Sequence, residues 1–273
     1  MFSDSIRAQV LGIILLSMGV LLWGCSVKEE RKDCPCFLTL DFAAVEAGFL
    51  KENGFDSLTV AISDGNGFIE QSTIPIDGFV REYSTSVPRS GADIMAVCAD
   101  GGKVEAGYGL VVEDGQPCPM VMMHAEHYSP VLTEERIPII LHKNHCAIEI
   151  TMKRNNNIPV RPFRVRVDGK INGYNPDGTP KEGAFCCFSA PSSEGLCRVN
   201  VPRQKDDSFM LEVHFLDNGE IRTFTLGKYI AESGYDWNAA DLEDVKVEMD
   251  FSRSGIELTV SKWMKSLSFD IKF

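Results

Sequence analysis

The sequence predicts an all-β protein, and three observations support this fold class. Apolar and polar side chains alternate in eight short segments, glycine and proline punctuate the stretches between them, and helical periodicity is sparse. Alternation with a period of two is typical of a strand that buries one face. Because such strands bury their apolar faces by pairing sheets, we expect β-sandwiches.

The alternating segments lie in both halves of the chain. In the N-terminal half, the pattern predicts strands at residues 38–42, 58–62 and 92–98. In the C-terminal half, the apolar residues within 163–167 alternate with charged ones, which is the cleanest example. The remaining predicted strands cover residues 209–215, 245–251, 256–260 and 267–273.

Turn and helix signals complete the local prediction. Asn218-Gly219 follows the strand at 209–215 and indicates a tight hairpin, in which both central residues take positive φ. We expect short helices near residues 228–233 and 238–243, with Asn238 as the N-cap of the second.

A domain boundary is expected near residue 141. The charged stretch Glu134-Glu135-Arg136 precedes an apolar run at 137–141 and then a new strand pattern. The predicted domains are an N-terminal β-sandwich at 36–140 and a C-terminal β-sandwich at 141–273. Both lengths are common for single domains.

The N-terminus has the pattern of a secretory signal peptide. An apolar run of 14 residues, 10–23, follows Arg7. A helix of that length spans about 21 Å, which is less than a hydrocarbon core of roughly 30 Å. A removable signal peptide at residues 1–24 therefore explains the run better than a membrane-spanning helix.

The end of the signal peptide resembles a bacterial lipobox. Leu22 and Gly24 stand three and one residues before the predicted cleavage point, and Cys25 follows it. The resemblance implies cleavage before Cys25, attachment of lipid (palmitate among its acyl chains) to that residue, and a lipidated linker at 25–35. The alternative is an uncleaved anchor with an incidental cysteine.

The charge of the mature chain limits the classes of partner that it can bind. Removal of residues 1–24 takes away one acid, Asp4, and one base, Arg7, so the remaining 249 residues keep the net charge of −12. An acidic surface argues against nucleic acid as a partner. Lys28-Glu29-Glu30 resembles the signal that marks surface-exported lipoproteins in Bacteroidetes, which implies exposure at the cell surface.

Eight cysteines remain after Cys25, and an exported protein can oxidise them. Pairing within Cys34-Pro35-Cys36 would be strained, so the candidate disulfide in the N-terminal half joins Cys34 or Cys36 to Cys98 or Cys118. The alternative is that cysteines in apolar strands, such as Cys98, are plain buried thiols.

No catalytic pattern is present in the sequence. A hydrolase elbow, a nucleotide-binding loop and a calcium-loop spacing are all missing. His124 and His127 are three residues apart, whereas a metalloprotease helix needs four. His142 and His145 are interpreted as residues at the start of a strand rather than zinc ligands. We therefore expect no enzymatic activity, no cofactor and no metal.

Several segments, taken in order along the chain, carry a resemblance to one family. The first is Asp33-Cys34-Pro35-Cys36 with the strand that follows it. The others are Gly234-Tyr235-Asp236-Trp237, residues 241–245, and the closing segment 256–263. In this order the segments resemble the FimB-like anchoring lipoproteins of Bacteroidetes fimbriae. The resemblance implies two transthyretin-like β-sandwich domains in an outer-membrane lipoprotein with a role in cell adhesion. It also implies that the protein anchors and terminates a fimbrium (pilus) and contacts the fimbrial stalk subunit.

The family also suggests how the two ends of the chain are used. An anchor cannot lose its first strand to proteolysis without separating from Cys25, so we expect a retained strand near 36–42. The C-terminal segment has apolar residues at alternate positions, as a strand donated to a neighbour requires. The candidate donor residues are Leu267, Phe269, Ile271 and Phe273. The alternative for this segment is a final strand that stays within its own domain.

The alternative for the function of the whole protein is a surface lipoprotein that binds a glycan or a protein.

Overall fold

A computed structural model of the chain describes residues 35–101, 103–153, 161–251, 256–262 and 265–271. The signal peptide, Cys25 and the linker up to Cys34 lie outside the described residues. Among those described, no helix is long and apolar enough to cross a membrane.

Nineteen strands and two short helices, α1 (Ala47–Glu52) and α2 (Leu226–Glu232), make up the described fold. The all-β class predicted from the alternation is confirmed. The first nine strands are β1 (Cys36–Asp41), β2 (Ser57–Ser63), β3 (Ile69–Pro75), β4 (Glu82–Val87), β5 (Ala92–Ala99), β6 (Lys103–Glu105), β7 (Gly109–Val111), β8 (Val121–Tyr128) and β9 (Glu134–Pro138). They are followed by β10 (His142–Lys143), β11 (His145–Met152), β12 (Phe163–Tyr174), β13 (Pro180–Ser189), β14 (Leu196–Pro202), β15 (Met210–Phe215), β16 (Ile221–Phe224), β17 (Val245–Asp250), β18 (Ile256–Lys262) and β19 (Lys265–Ile271).

Two sheets pack around the first core. A three-stranded sheet has the order β4-β1-β9, and a five-stranded sheet has the order β10-β8-β5-β2-β3. Their inner faces share a cluster that includes Leu38 and Leu40 from the first sheet, and Val60 and Ile94 from the second. The predicted one-face burial holds for β1, whereas β5 buries both faces, because Met95 and Val97 pack into the second core.

Two further sheets pack around the second core. Their orders are β14-β11-β17-β18-β19 and β16-β15-β12-β7-β6, and β13 also pairs with β12. Ile148 and Val247 from one sheet meet Val165 and Leu211 from the other, and all four are almost fully buried.

The strands cross the predicted boundary at residue 141 in both directions. β7, from the N-terminal half, pairs with the end of β12, and β10, from the C-terminal half, pairs with β8. Gly109 and Gly173 permit the first crossing, because a Cβ on either would lie 2.0 Å from a backbone oxygen of the facing strand. Met95 on β5 also packs into the second core. The division at 140/141 stays a prediction.

Two local predictions need correction. The segment 238–243 forms turns rather than a helix, because the Asp236 carboxylate accepts the backbone N–H of Asn238 at 2.8 Å and closes a local turn. The hairpin after β15 exists, but its loop spans residues 216–220 and positive φ occurs at Gly219 (74°) and not at Asn218. Longer hairpin loops of this kind are built differently from two-residue turns.

Candidate functional site

The first described strand, β1, lies in the middle of its sheet. It pairs antiparallel with β4 from Cys36 to Asp41 and parallel with β9 from Phe37 onward. The side chains of Cys36, Leu38 and Leu40 are completely buried. Removing β1 would break two ladders and take three fully buried side chains out of the first core, so this strand is an integral part of the fold.

The point where the predicted lipid tether would join the body is exposed. Pro35 is the first described residue, it is solvent-exposed, and β1 begins at the next residue. The lipidation site Cys25 and the export signal at 28–30 lie outside the described residues, so both stay predictions.

The C-terminal strand, β19, pairs with β18 at the edge of its own sheet. Leu267 and Phe269 are half-buried, whereas Ser268 between them is exposed and its hydroxyl lies 2.9 Å from that of Thr259. The Ile271 side chain and Phe273 lie outside what the structure describes. This placement corresponds to the alternative of a final strand within its own domain. Donation to a neighbour stays a prediction, and β19 has no second partner among the described strands.

The segment 241–245 is bonded to residues 143–147, where β10 ends and β11 begins. The Asp241 carboxylate accepts the backbone N–H of Lys143 at 2.7 Å, and the backbone N–H of Leu242 donates to the Lys143 carbonyl at 2.9 Å. The Asp244 carboxylate accepts the Lys143 ammonium at 2.5 Å and the backbone N–H of Ala147 at 2.8 Å. This segment, noted above for its family resemblance, therefore bridges β17 to the chain at residues 143–147.

The environment of Asp244 sets the charge of that bridge. Burial alone would raise the pKa of the Asp244 carboxyl, but the Lys143 ammonium and the Ala147 N–H together hold that pKa below its ordinary value of 3.8. Asp244 is therefore ionised at neutral pH. The neighbouring Tyr235 hydroxyl donates to the Glu243 carbonyl at 2.6 Å, and burial raises the pKa of Tyr235.

The described candidate disulfide cysteines are divided between the two cores. Cys36, Cys98 and Cys118 are buried free thiols in this structure; Cys36 and Cys98 belong to the first core and Cys118 to the second. Burial raises the pKa of Cys98 to about 12, so this thiol is unreactive in the folded protein. A disulfide formed by Cys34 stays a prediction because that residue lies outside the described part of the chain.

The histidines take part in local contacts. The backbone N–H of Val121 donates to His145 Nδ1 at 2.9 Å, and burial lowers the pKa of His145, which keeps this ring neutral. His142 Nδ1 lies 3.2 Å from Asp241, and His127 Nδ1 lies 2.7 Å from Asp93. No group of three or more metal-binding side chains occurs among the described residues.

An open cleft of about 480 Å³ lies beside β8, between the turn at 177–180 and the loop at 238–240. Arg203 forms part of its wall, and its guanidinium donates to the Ala239 carbonyl at 2.8 Å and to Asn144 Oδ1 at 2.9 Å. Sequence reasoning missed Arg203, since it belongs to no motif. Only the fold brings it to the loop that follows α2.

Comparison with known proteins identifies the fold. No protein-family model matches the chain, and no curated protein matches it. Among solved structures, the fimbrial anchor protein Mfa2 from Porphyromonas gingivalis aligns with 84% of this chain and 98% of its own, at 11% identity and a TM-score of 0.56.

Two Bacteroides structures give similar values. A candidate adhesin from Bacteroides ovatus covers 86% of this chain and 96% of its own, at 9% identity and a TM-score of 0.57. A candidate polysaccharide-binding protein from Bacteroides thetaiotaomicron covers 83% and 98%, at 11% identity and a TM-score of 0.55. The chain therefore shares its fold with fimbrial and adhesin-like proteins of Bacteroidetes over nearly the whole length of each.

Proposed function

We propose that this protein is an outer-membrane lipoprotein that anchors and terminates a fimbrium at the cell surface. Its partners would be the fimbrial stalk subunit and, through the lipid on Cys25, the outer membrane. The observation that carries the proposal is the position of β1, which is central in its sheet and fully buried at Cys36, Leu38 and Leu40.

The position of β1 suits an anchor for a mechanical reason. Pro35 follows Cys25 by ten positions, so the chain between them can span at most about 35 Å. A pull on the lipid would therefore pass through this short linker directly into a strand that is hydrogen-bonded on both sides. A first strand that is already in place also leaves its groove filled, so no further subunit could add beneath the protein.

The shared fold supports the same function from a separate direction. Mfa2 is a fimbrial anchor protein, and almost its entire length aligns with 84% of this chain. At 11% identity the likeness concerns the fold, and the lipobox-like sequence at Cys25 is what makes an anchor role specific. Attachment through two or more acyl chains is stable, because each buried CH₂ contributes about 0.8 kcal/mol.

Two changes in a fimbriated host test the proposal. Cys25→Ala should prevent acyl labelling and release fimbriae into the medium, as should deletion of the gene. A host whose fimbriae stay attached after gene deletion would contradict the anchor function. Incorporation of labelled palmitate by the Cys25→Ala variant would contradict the lipidation site.

Surface exposure is a separate part of the proposal. Replacing Lys28-Glu29-Glu30 with alanines should leave the protein lipidated but protect it from protease added to whole cells. The matched control is alanine replacement of three residues elsewhere in the linker, at 31–33. Equal protease access in the two variants would contradict the export role of residues 28–30.

A surface glycan-binding lipoprotein is the second candidate. The open cleft beside β8 supports it, together with the fold shared with a candidate polysaccharide-binding protein. Binding of purified protein to a glycan array, lost in Arg203→Ala, with fimbriae unaffected by gene deletion, would favour this function over the anchor. Neither function includes a catalytic step.

A further inference from the structure

The loop between β8 and β9 presents two large apolar side chains to solvent. Val131 is 80% exposed and Leu132 is 63% exposed. Single exposed apolar residues are common on protein surfaces, but an adjacent pair at a loop tip is less so. The tip, residues 129–133, carries no charged side chain, in contrast to the net charge of −12 of the whole protein.

The backbone of this loop is held in place from both sides. The Glu135 carboxylate accepts the N–H of Val131 at 2.6 Å and also that of Leu132. The Arg89 guanidinium donates to the Val131 carbonyl at 3.3 Å and to the Thr133 hydroxyl at 2.8 Å. Because the Val131 and Leu132 N–H groups and the Val131 carbonyl already have partners, these loop groups would stay satisfied in a less polar medium.

The loop lies at the end of the molecule where the predicted tether joins the body. The backbone N–H of Phe37 donates to the Thr133 carbonyl at 2.8 Å, and Phe37 is itself 56% exposed. Phe37 stands only two residues after Pro35, so the linker from Cys25 reaches β1 directly beside this loop.

We propose that Val131, Leu132 and Phe37 dock into the interfacial region of the lipid bilayer and set the orientation of the body on the membrane. This inference rests on the lipidation of Cys25 under the proposed function. A linker of at most about 35 Å keeps the loop close to the bilayer, so its effective concentration there is high. Weak insertion, insufficient to bind a free protein, is then enough to hold one orientation.

A tryptophan introduced at the loop tip reports on this docking. The mature lipidated protein carrying Leu132→Trp is reconstituted into phosphatidylcholine vesicles whose acyl chains are brominated near the carbonyl end. Apolar groups docked at an interface lie roughly 5–10 Å into the headgroup and acyl boundary. We expect the emission of the introduced tryptophan, after subtraction of the parent protein, to shift to the blue and to be quenched by bromine. Val131→Trp should behave in the same way.

Leu216→Trp is the matched control. Leu216 is 60% exposed and follows Phe215, which pairs with Phe163 at the start of β12. The other end of β12, at Tyr174, pairs with β7 of the N-terminal half. Phe163 and Tyr174 are separated by about 35 Å along the strand. The indole introduced by Leu216→Trp should therefore show no quenching.

The outcomes separate this inference from the proposed function. Protein that lacks lipid by mass spectrometry would contradict the lipidation itself. Lipidated, vesicle-bound protein whose Val131→Trp and Leu132→Trp variants are quenched no more than the Leu216→Trp variant would overturn the docking loop and leave the anchor function intact.

Discussion

The ring of Phe269 packs against the ring of Tyr229, with their centroids 4.7 Å apart. Phe269 belongs to β19, the last strand of the chain, and Tyr229 belongs to α2. The contact thus joins the C-terminal strand to the second core of its own chain. It gives that strand a structural role that is independent of any partner.

The first prediction concerns this contact. Phe269→Ala should lower the free energy of unfolding by about 1–3 kcal/mol, because it removes a half-buried ring and the contact of that ring with Tyr229. Urea denaturation of the purified mature protein measures the change. Ser268→Ala, on the exposed side of the same strand, should have a much smaller effect, and equal losses in the two variants would contradict the packing seen here.

The second prediction separates the structural role of β19 from donation to a neighbour. Deletion of residues 267–273 removes most of an edge strand, so the protein should lose stability but remain folded and lipidated. If the strand is donated, the truncated protein should fail to retain fimbriae, whereas Phe269→Ala at full length should retain some. Full retention by a folded truncated protein would rule out donation and leave the anchor function open.

The third prediction tests the second core. Leu211 is fully buried in β15, so Leu211→Ala should lower the free energy of unfolding by about 2–4 kcal/mol. Arg164 lies on the opposite, exposed face, with its guanidinium 4.7 Å from the Phe188 ring. Arg164→Ala should cost less than about 1 kcal/mol, since an exposed cation–π contact contributes little. The urea midpoints of the two variants provide the comparison.

The fourth prediction concerns pH and Asp244. Because the folded protein lowers the pKa of this carboxyl, its stabilising contribution is present above the ordinary value of 3.8 and is lost as the pH falls through the lowered pKa. The side chain is 40% exposed, so screening by water and salt limits the effect. Asp244→Asn should cost about 1 kcal/mol at pH 7.

The difference between wild type and Asp244→Asn should shrink as the pH falls below about 4. Glu194→Gln, which neutralises an exposed carboxylate, is the control and should have little effect across this range. Thermal unfolding at a series of pH values measures both. A constant difference down to the lowest pH would mean that Asp244 acts through its shape rather than its charge.

The fifth prediction concerns the thiols. Cys36, Cys98 and Cys118 should resist iodoacetamide in the folded protein, since the reagent needs an accessible thiolate and these side chains are buried. All three should react after unfolding in urea. Cys186 is half-exposed and should be labelled first. Mass spectrometry without reductant would also show whether Cys34 forms a disulfide with one of the three. In that case Cys34 and its partner would stay unlabelled even after unfolding in urea.

Much of the fold follows from local pattern. The alternating segments near Leu58, Val165 and Val247 all became strands with those residues buried, because burying one face of a sheet imposes the same period on any such strand. The helix at 47–52 was missed, since six residues are too few for a periodic signal. The helix predicted at 238–243 was wrong because Asp236 offered the backbone a local turn.

Of the candidate site, only the parts at the two ends of the chain could be predicted from the sequence. The sequence by itself determined the signal-peptide pattern, the cysteine at position 25 and the apolar strand that follows it, because each depends on neighbouring residues. It also determined the alternation at Leu267 and Phe269, but not where that strand pairs.

Only the tertiary structure decided which strands became neighbours. It placed β1 between β4 and β9, brought Asp244 to Lys143, and set the Val131–Leu132 loop beside Phe37. These contacts join residues about 40 to 100 positions apart, and no periodicity within a segment reports on them. Long-range pairing depends instead on how whole apolar faces fit together. For that reason, the sequence could indicate what is buried, whereas the structure was needed to show what each buried face meets.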